Sequence, residues 1–330
     1  MVGVLSLKAA KELEIMNNVQ KTGIGLLVLL VWSLTGCAPD DGVQADIGKA
    51  DSRKAKIENP PDVNSPAVLV ASFTVELPTM DGRIDMPWEA AVPLTVTVRE
   101  AFGGGDSKQV VLRALYTDKQ FFVLAEWPDT TLSDMRDPYV WNTKTMQYER
   151  SSKPDDQFAI EFPIDGDFEV NMLATDSEYT ADVWHWKAGR SNPPGYADDK
   201  RHLIRKNPVD GGKEYDLGGR ATVYIARPMD QGTPAYQRRE KPDVYETDVV
   251  NSFEFRQAAS GSVSDIRAKG THNGSDWTLE MVRTFDTGHS DDAVIHKDED
   301  NLFAIAVLND ELNWRHSVSE LLLLRFAPKE

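Results

Sequence analysis

The run Asp182-Val183-Trp184-His185-Trp186-Lys187-Ala188 is the densest set of chemically capable side chains in the sequence. As a strand, its period of two sets His185 on one face and both indoles on the other. An imidazole so placed offers a metal ligand or proton carrier. Paired indoles suit the wall of a planar cofactor, a stacking platform for sugar, or plain core packing. A second group joins His289 and His296 to Asp286, Asp291, Asp292, Asp298, Glu299 and Asp300. It has oxygen ligands for a divalent cation within Asp286–Asp300 but no recognisable ligand spacing, and a solvated acidic loop is its plainer reading. Gly103-Gly104-Gly105 lacks a downstream Lys-Ser/Thr and reads as a turn. The sequence contains no Gly-x-Ser-x-Gly, His-Glu-x-x-His or Walker pattern.

One cysteine, Cys37, in 330 residues excludes an intrachain disulfide framework, a cysteine-ligated zinc or iron–sulfur site, and haem attached through C-x-x-C-H. The charge balance is acidic, 36 Lys and Arg against 53 Asp and Glu, for a formal net charge of −17. Polyanion binding needs clustered cations, so nucleic acid is not an expected partner.

Cys37 closes a segment with the layout of an export signal: Lys21, an apolar run from Ile24 to Leu34, then small residues. That run of 11 residues is well short of the roughly 20 that span a bilayer as a helix. Leu34-Thr35-Gly36-Cys37 resembles the lipobox of bacterial lipoproteins, which implies a signal over 1–36, with Met16 as an alternative start, and a lipid on Cys37. An Asp directly after the cysteine would imply retention at the inner membrane. Ala38 stands there, so the expectation is a lipid-anchored protein on the periplasmic side of the outer membrane. Residues 37–66 are polar and proline-rich without apolar periodicity, as in a flexible tether. Loss of 1–36 removes three lysines and two glutamates, so the remainder carries −18.

From residue 67 to 330 the apolar residues fall in short alternating runs rich in β-branched and aromatic side chains. Strands are expected over Val68–Leu77, Leu94–Glu100, Gln109–Tyr116, Phe121–Trp127, Gln157–Pro163, Glu169–Leu173, Ala181–Trp186, Arg220–Ala226, Asp265–Gly270, Trp277–Thr284, Leu302–Leu308 and Glu320–Phe326. A polar break at Tyr116–Gln120 reads as a hairpin. The fold class is all-β, a single antiparallel β-sandwich with long loops. Ser191–Ser262, with one clear strand, reads as loops covering one end of the sandwich.

The segment Asp81-Gly82-Arg83-Ile84-Asp85-Met86-Pro87-Trp88-Glu89-Ala90-Ala91 resembles the opening of a sandwich superfamily that includes family-nine carbohydrate-binding modules, DOMON-type cytochrome domains and the gamma subunit of ethylbenzene dehydrogenase. Asp-Gly as a turn and Trp88 packed under a sheet account for it physically. More selectively, the Trp184–Ala188 run with Gly195-Tyr196-Ala197-Asp198-Asp199 resembles the "WHWKA … G-x-A-D" segment of that gamma-subunit family. Asp155–Pro163, Trp277–Arg283 and Phe303–Val307 follow the family's order, so the resemblance extends over about 81–326.

The resemblance implies a non-covalent haem b with two axial ligands. One is a Met just ahead of the Trp-His-Trp strand, here Met172. The other lies ahead of the last strand, a Lys in the dehydrogenase subunits, where this chain has His316; Met/His ligation occurs in DOMON-type cytochromes. Trp184, Trp186, His185 and Lys187 are the further cofactor-binding candidates. His185 is a second axial candidate, although a satisfied structural histidine is its plainer reading. A soft thioether and a neutral imidazole give a six-coordinate iron with a raised potential, suited to single-electron transfer and not to substrate turnover at the metal. The implied role is electron transfer rather than catalysis, with a redox partner such as a molybdenum enzyme or a basic cytochrome. The alternative from another class is a carbohydrate-binding module stacking sugars on Trp184, Trp186, Trp141 or Tyr139.

Overall fold

The computed structural model describes residues 65–101, 107–173, 177–217, 222–256, 258–309 and 316–329. The signal, Cys37 and nearly all of the tether expected from the sequence lie outside the described residues.

Among the described residues the strands are β1 (Ala67–Phe73), β2 (Leu94–Glu100), β3 (Ser107–Tyr116), β4 (Gln120–Pro128), β5 (Tyr139–Asn142), β6 (Gln147–Arg150), β7 (Gln157–Gly166), β8 (Tyr179–Lys187), β9 (Asp198–Arg205), β10 (Lys213–Asp216), β11 (Thr222–Ala226), β12 (Tyr236–Arg238), β13 (Val249–Val250), β14 (Phe253–Phe255), β15 (Arg267–His272), β16 (Asp276–Thr284), β17 (Asn301–Leu308), β18 (Ser317–Val318) and β19 (Leu322–Phe326). A short α-helix, α1 (Met86–Glu89), precedes β2. No helix of the described residues is long and apolar enough to cross a membrane.

The main sheet runs β10-β11-β9-β8-β7-β17-β18-β2-β3-β4-β16-β15, and it folds over so that its two halves pack face to face. Ladders are antiparallel except at β1, which lies parallel to both β19 and β3 and so ties the halves together. The inward side chains of β3, β4 and β16 meet those of β7, β8 and β17 in one aromatic-rich core, in which Phe121, Trp127, Phe158, Phe162, Trp184 and Trp186 are all buried. Period-two alternation aims every second residue of each strand at that core. The hairpin at Tyr116–Gln120 forms as expected, with the Thr117 amide donating to the Gln120 carbonyl at 2.9 Å.

Outside the second half, Trp88 is fully buried against Leu115, Phe122 and Leu124. Its indole Nε1 donates to Glu280 Oε1 at 2.6 Å, and the amides of Asp81 and Gly82 donate to Glu280 Oε2 at 2.9 and 2.6 Å. The Asp-Gly…Trp opening is therefore a clamp on β16. Gly82 sits at φ +78°, in the left-handed region glycine tolerates.

Two sequence expectations need correction. Glu169–Leu173 is not a strand: Asn171 Oδ1 accepts from the Leu173 amide at 3.1 Å, and Asn171 Nδ2 donates to the Ala101 carbonyl at 2.8 Å. Such local side-chain bonding competes with a ladder and holds the segment as a turn. Ser191–Ser262, although largely loop as expected, holds more than one strand: it contributes β9 and β11 to the main sheet, with β10 at its edge. β9 was hidden because its sequence, Asp198-Asp199-Lys200-Arg201-His202-Leu203-Ile204-Arg205, is mostly charged.

Candidate functional site

On the outer face of the first half-sheet, rows of residues cross β17, β7, β8 and β9 in register. One row aligns Ala306, Ala159, His185 and Asp198; the next aligns Ala304, Glu161, Val183 and Lys200. Alanines at 159, 304 and 306 leave the floor flat. The turn at 170–173, β10, Arg227 and the stretch 316–318 surround it. Together they enclose a cavity of about 310 Å³ whose lining includes Met172, His185, Lys200, His202, Arg227 and His316. That volume falls in the usual range for small-molecule sites, about 300–1,000 Å³.

Three of the sequence-predicted residues, Met172, His185 and His316, therefore share one cavity although His316 is distant in sequence from the other two. Met172 is held by packing among Phe168, Leu173, Tyr179 and Tyr215, and its Sδ receives a hydrogen bond from Arg227 Nη2 at 3.2 Å. His316 is fixed through its backbone, whose carbonyl accepts from the Ala101 amide at 3.0 Å. His185 is half-buried, and neither of its ring nitrogens has a hydrogen-bond partner. The expectation of a satisfied structural histidine at 185 is thus corrected. Burial, with Lys200 and Lys187 near, pushes its pKa well below the usual histidine value and keeps the ring neutral.

The other expected cofactor-binding residues point elsewhere. Trp184 and Trp186 are fully buried on the opposite face of β8, in the core between the half-sheets. Trp186 packs edge-on to Trp277 and lies over Gly270, where a Cβ would come within 2.5 Å of the indole. Lys187 is on the cavity's face but beyond its edge, ion-paired with Asp198 and 3.2 Å from the Tyr236 hydroxyl. Nor do the expected sugar platforms stand open. Tyr139 is buried with its hydroxyl donating to the Arg239 carbonyl at 3.0 Å, and Trp141 packs between Tyr148 and Tyr245.

Sequence reasoning missed Lys200 and His202 along with β9, and Lys213 along with β10. Their signal is the period-two spacing of Lys200 and His202, which puts both on His185's face. His202 Nδ1 pairs with Glu161, while its Nε2 has no partner. Burial, against the opposing pull of Glu161, lowers the His202 pKa to about 4. Burial and the neighbouring Lys187 lower that of Lys200 to about 7. The cavity thus offers neutral nitrogen and thioether donors on one flat apolar floor, rimmed by Lys200, Lys213 and Arg227.

A sequence model of the ethylbenzene dehydrogenase family matches residues 85–320. The chain belongs to the ethylbenzene dehydrogenase family. Strands β2 to β18 of this family member, and hence the whole cavity, fall within the matched span. Comparison with curated proteins gives no match. Among solved structures, the chain is similar to a family-nine carbohydrate-binding module from Caldicellulosiruptor kristjanssonii. Its glucose complex aligns at 9% identity over 80% of this chain and 97% of that one, with a TM-score of 0.36. The cellotriose complex aligns at 11% identity over 79% and 95%, with a TM-score of 0.34.

Proposed function

We propose that the outer-face cavity binds a haem b and that the protein passes single electrons, with Met172 and His316 as the residues that would hold the iron. The observation that carries the reading is that Met172 and His316, far apart in the sequence of the matched region, line one cavity. The donor set fits the group: a thioether, imidazoles and a flat alanine floor at 159, 304 and 306 suit a planar iron macrocycle, and Lys200, Lys213 and Arg227 give cations for its carboxylates. The bound group would supply a reversible one-electron couple. The chain's own residues do the rest. The packed turn fixes the Met172 sulfur, the β7–β9 floor excludes water from one face, and the lowered pKa of His185 keeps that imidazole available as a donor at neutral pH.

His185 supports a second ligand reading, because it lines the cavity and neither of its buried ring nitrogens has a protein partner. Absorption spectra separate the two. Protein made under haem-replete conditions should show a Soret band and sharp low-spin visible bands on reduction. Met172→Ala and His316→Ala should each shift the bands toward high spin while His185→Ala leaves them low-spin; the reverse pattern assigns His185. A colourless protein that takes up no haemin overturns the proposal.

Export, a lipid on Cys37 and a redox partner complete the proposed role, with the outer membrane as the site. Mass spectrometry of the membrane fraction for a diacylglyceryl-modified Cys37 tests the anchor. Salt-independent electron exchange with a basic cytochrome would argue against acidic docking.

A further inference from the structure

On the inner face of β8 and β9, behind the cavity floor, carboxylates gather where the sandwich core ends. Asp182 and Asp199 are fully buried, and Asp292, from the loop between β16 and β17, is 6% exposed. One carboxylate oxygen from each lies within 4.8 Å of the others. Asp230 joins them, its amide donating to the Asp199 carbonyl at 3.2 Å, and it too is buried.

Two cations answer these four acids. Arg283 pairs with Asp182, and Arg201 Nε donates to Asp230 Oδ1 at 3.2 Å. What remains is unmet. Asp199 has no partner at either carboxylate oxygen, and Asp182 Oδ1 and Asp230 Oδ2 have none. An uncompensated buried carboxylate is strongly unfavourable, so such a group either takes up a proton or holds a cation. Both unpartnered oxygens of Asp199 thus belong to a side chain that comes together with Asp182 and Asp292, and the oxygens of Asp292 accept from Thr287 Oγ1 and Ser262 Oγ. Hydrogen bonds of that kind orient ligating carboxylates.

We propose that Asp182, Asp199 and Asp292 bind a divalent cation of the calcium class, with Asp230 completing the shell, at a site separate from the outer-face cavity. An all-oxygen anionic donor set selects hard cations over copper or zinc, and the four acids outnumber the two arginines paired with them, which favours a cation there. The ion would join β8 and β9 to the 285–295 loop, so its effect is on stability. His289 and Asp265, paired at 2.6 Å beside Asp292, form the solvent side of the same region.

The test uses the full chain, stripped with chelator and titrated with CaCl₂ by calorimetry and thermal unfolding. One saturable calcium per chain and a calcium-dependent rise in Tm are expected. Asp199→Asn should abolish both, weakening binding by more than the about 10–100-fold typical of losing an outer-shell partner. In chelator the same variant should unfold no earlier than the unsubstituted protein, because an amide relieves the buried charge. Asp292→Asn serves as the second variant should Asp199→Asn fail to fold. Absence of calcium, magnesium or manganese binding, or binding that survives both substitutions, overturns the proposal; the first result means protonated carboxylates and the second a surface acidic site.

Discussion

Strands β8 and β9 carry opposite chemistry on their two faces. Outward, Val183, His185, Lys200 and His202 line a cavity with neutral nitrogens and cations, whereas inward, Asp182, Asp199 and Trp184 meet the core and a guanidinium. The two sets are one residue apart in sequence and a sheet thickness apart in space. A two-residue period makes such a partition possible, and a one-residue register slip would exchange the faces. The difference teaches that the outward face is built for access and the inward face for cohesion. Substitutions should therefore divide cleanly into those that change ligand uptake and those that change unfolding.

The largest break in that partition should come from Arg283→Ala. Arg283 and Asp182 are both fully buried, and Arg283 also lies over the Trp184 ring at 4.9 Å. Removing it strands acids in the core and should cost about 3–5 kcal/mol, measured by urea unfolding in chelator. A loss below about 1 kcal/mol would mean that these acids are held protonated and need no counter-charge.

Next in size is Lys200→Met on the outward face. With its pKa lowered to about 7, Lys200 keeps its proton in both states below that pH, and the full cost of the buried charge then opposes folding. Between about 7 and its ordinary value of 10.5 the unfolded chain holds a proton the folded chain lacks, so stability rises with pH. His202, lowered to about 4 from 6.5, adds the same sign between those values. Lys200→Met should flatten the upper slope and raise stability at pH 6 by about 1–3 kcal/mol. A haem carboxylate seated beside Lys200 would hold its proton to higher pH, so loading the cavity should flatten the same slope without a substitution.

Much of this was legible in the sequence where hydrophobic alternation was strong. Leu94–Glu100 matches β2 end to end, and the core strands β3, β4, β7, β8, β16 and β17 differ from expectation only at their ends. The opposed faces of His185 and the two indoles followed from the same period. Legibility failed where charge replaced hydrophobicity. The lysine and acids of β9 are buried by long-range neighbours, Glu161, Arg283 and Asp230, which no local pattern announces. Trp184 and Trp186 look like binding aromatics in a strand next to histidine, yet their burial depends on Gly270 and Trp277 across the sandwich. Of the acid cluster, only Asp292 lies in the stretch around His289 and His296 that the sequence offers for a cation; Asp182 and Asp199 belong to the segments that resemble the haem-binding family.

The smallest effect on stability should accompany the largest effect on the cavity. Ala159 sits in the floor between Ala306 and His185, half-buried and facing outward, so Ala159→Trp adds an indole to open volume and not to the packed core. An indole placed in the cavity displaces no core side chain, so urea midpoints should stay close to those of the unsubstituted protein. Haemin uptake should be lost, because the bulk occupies the plane on which a flat ligand would lie. A variant that remains stable and still takes up haemin with unchanged bands would move the ligand off this floor, and with it the functional meaning of the outward face.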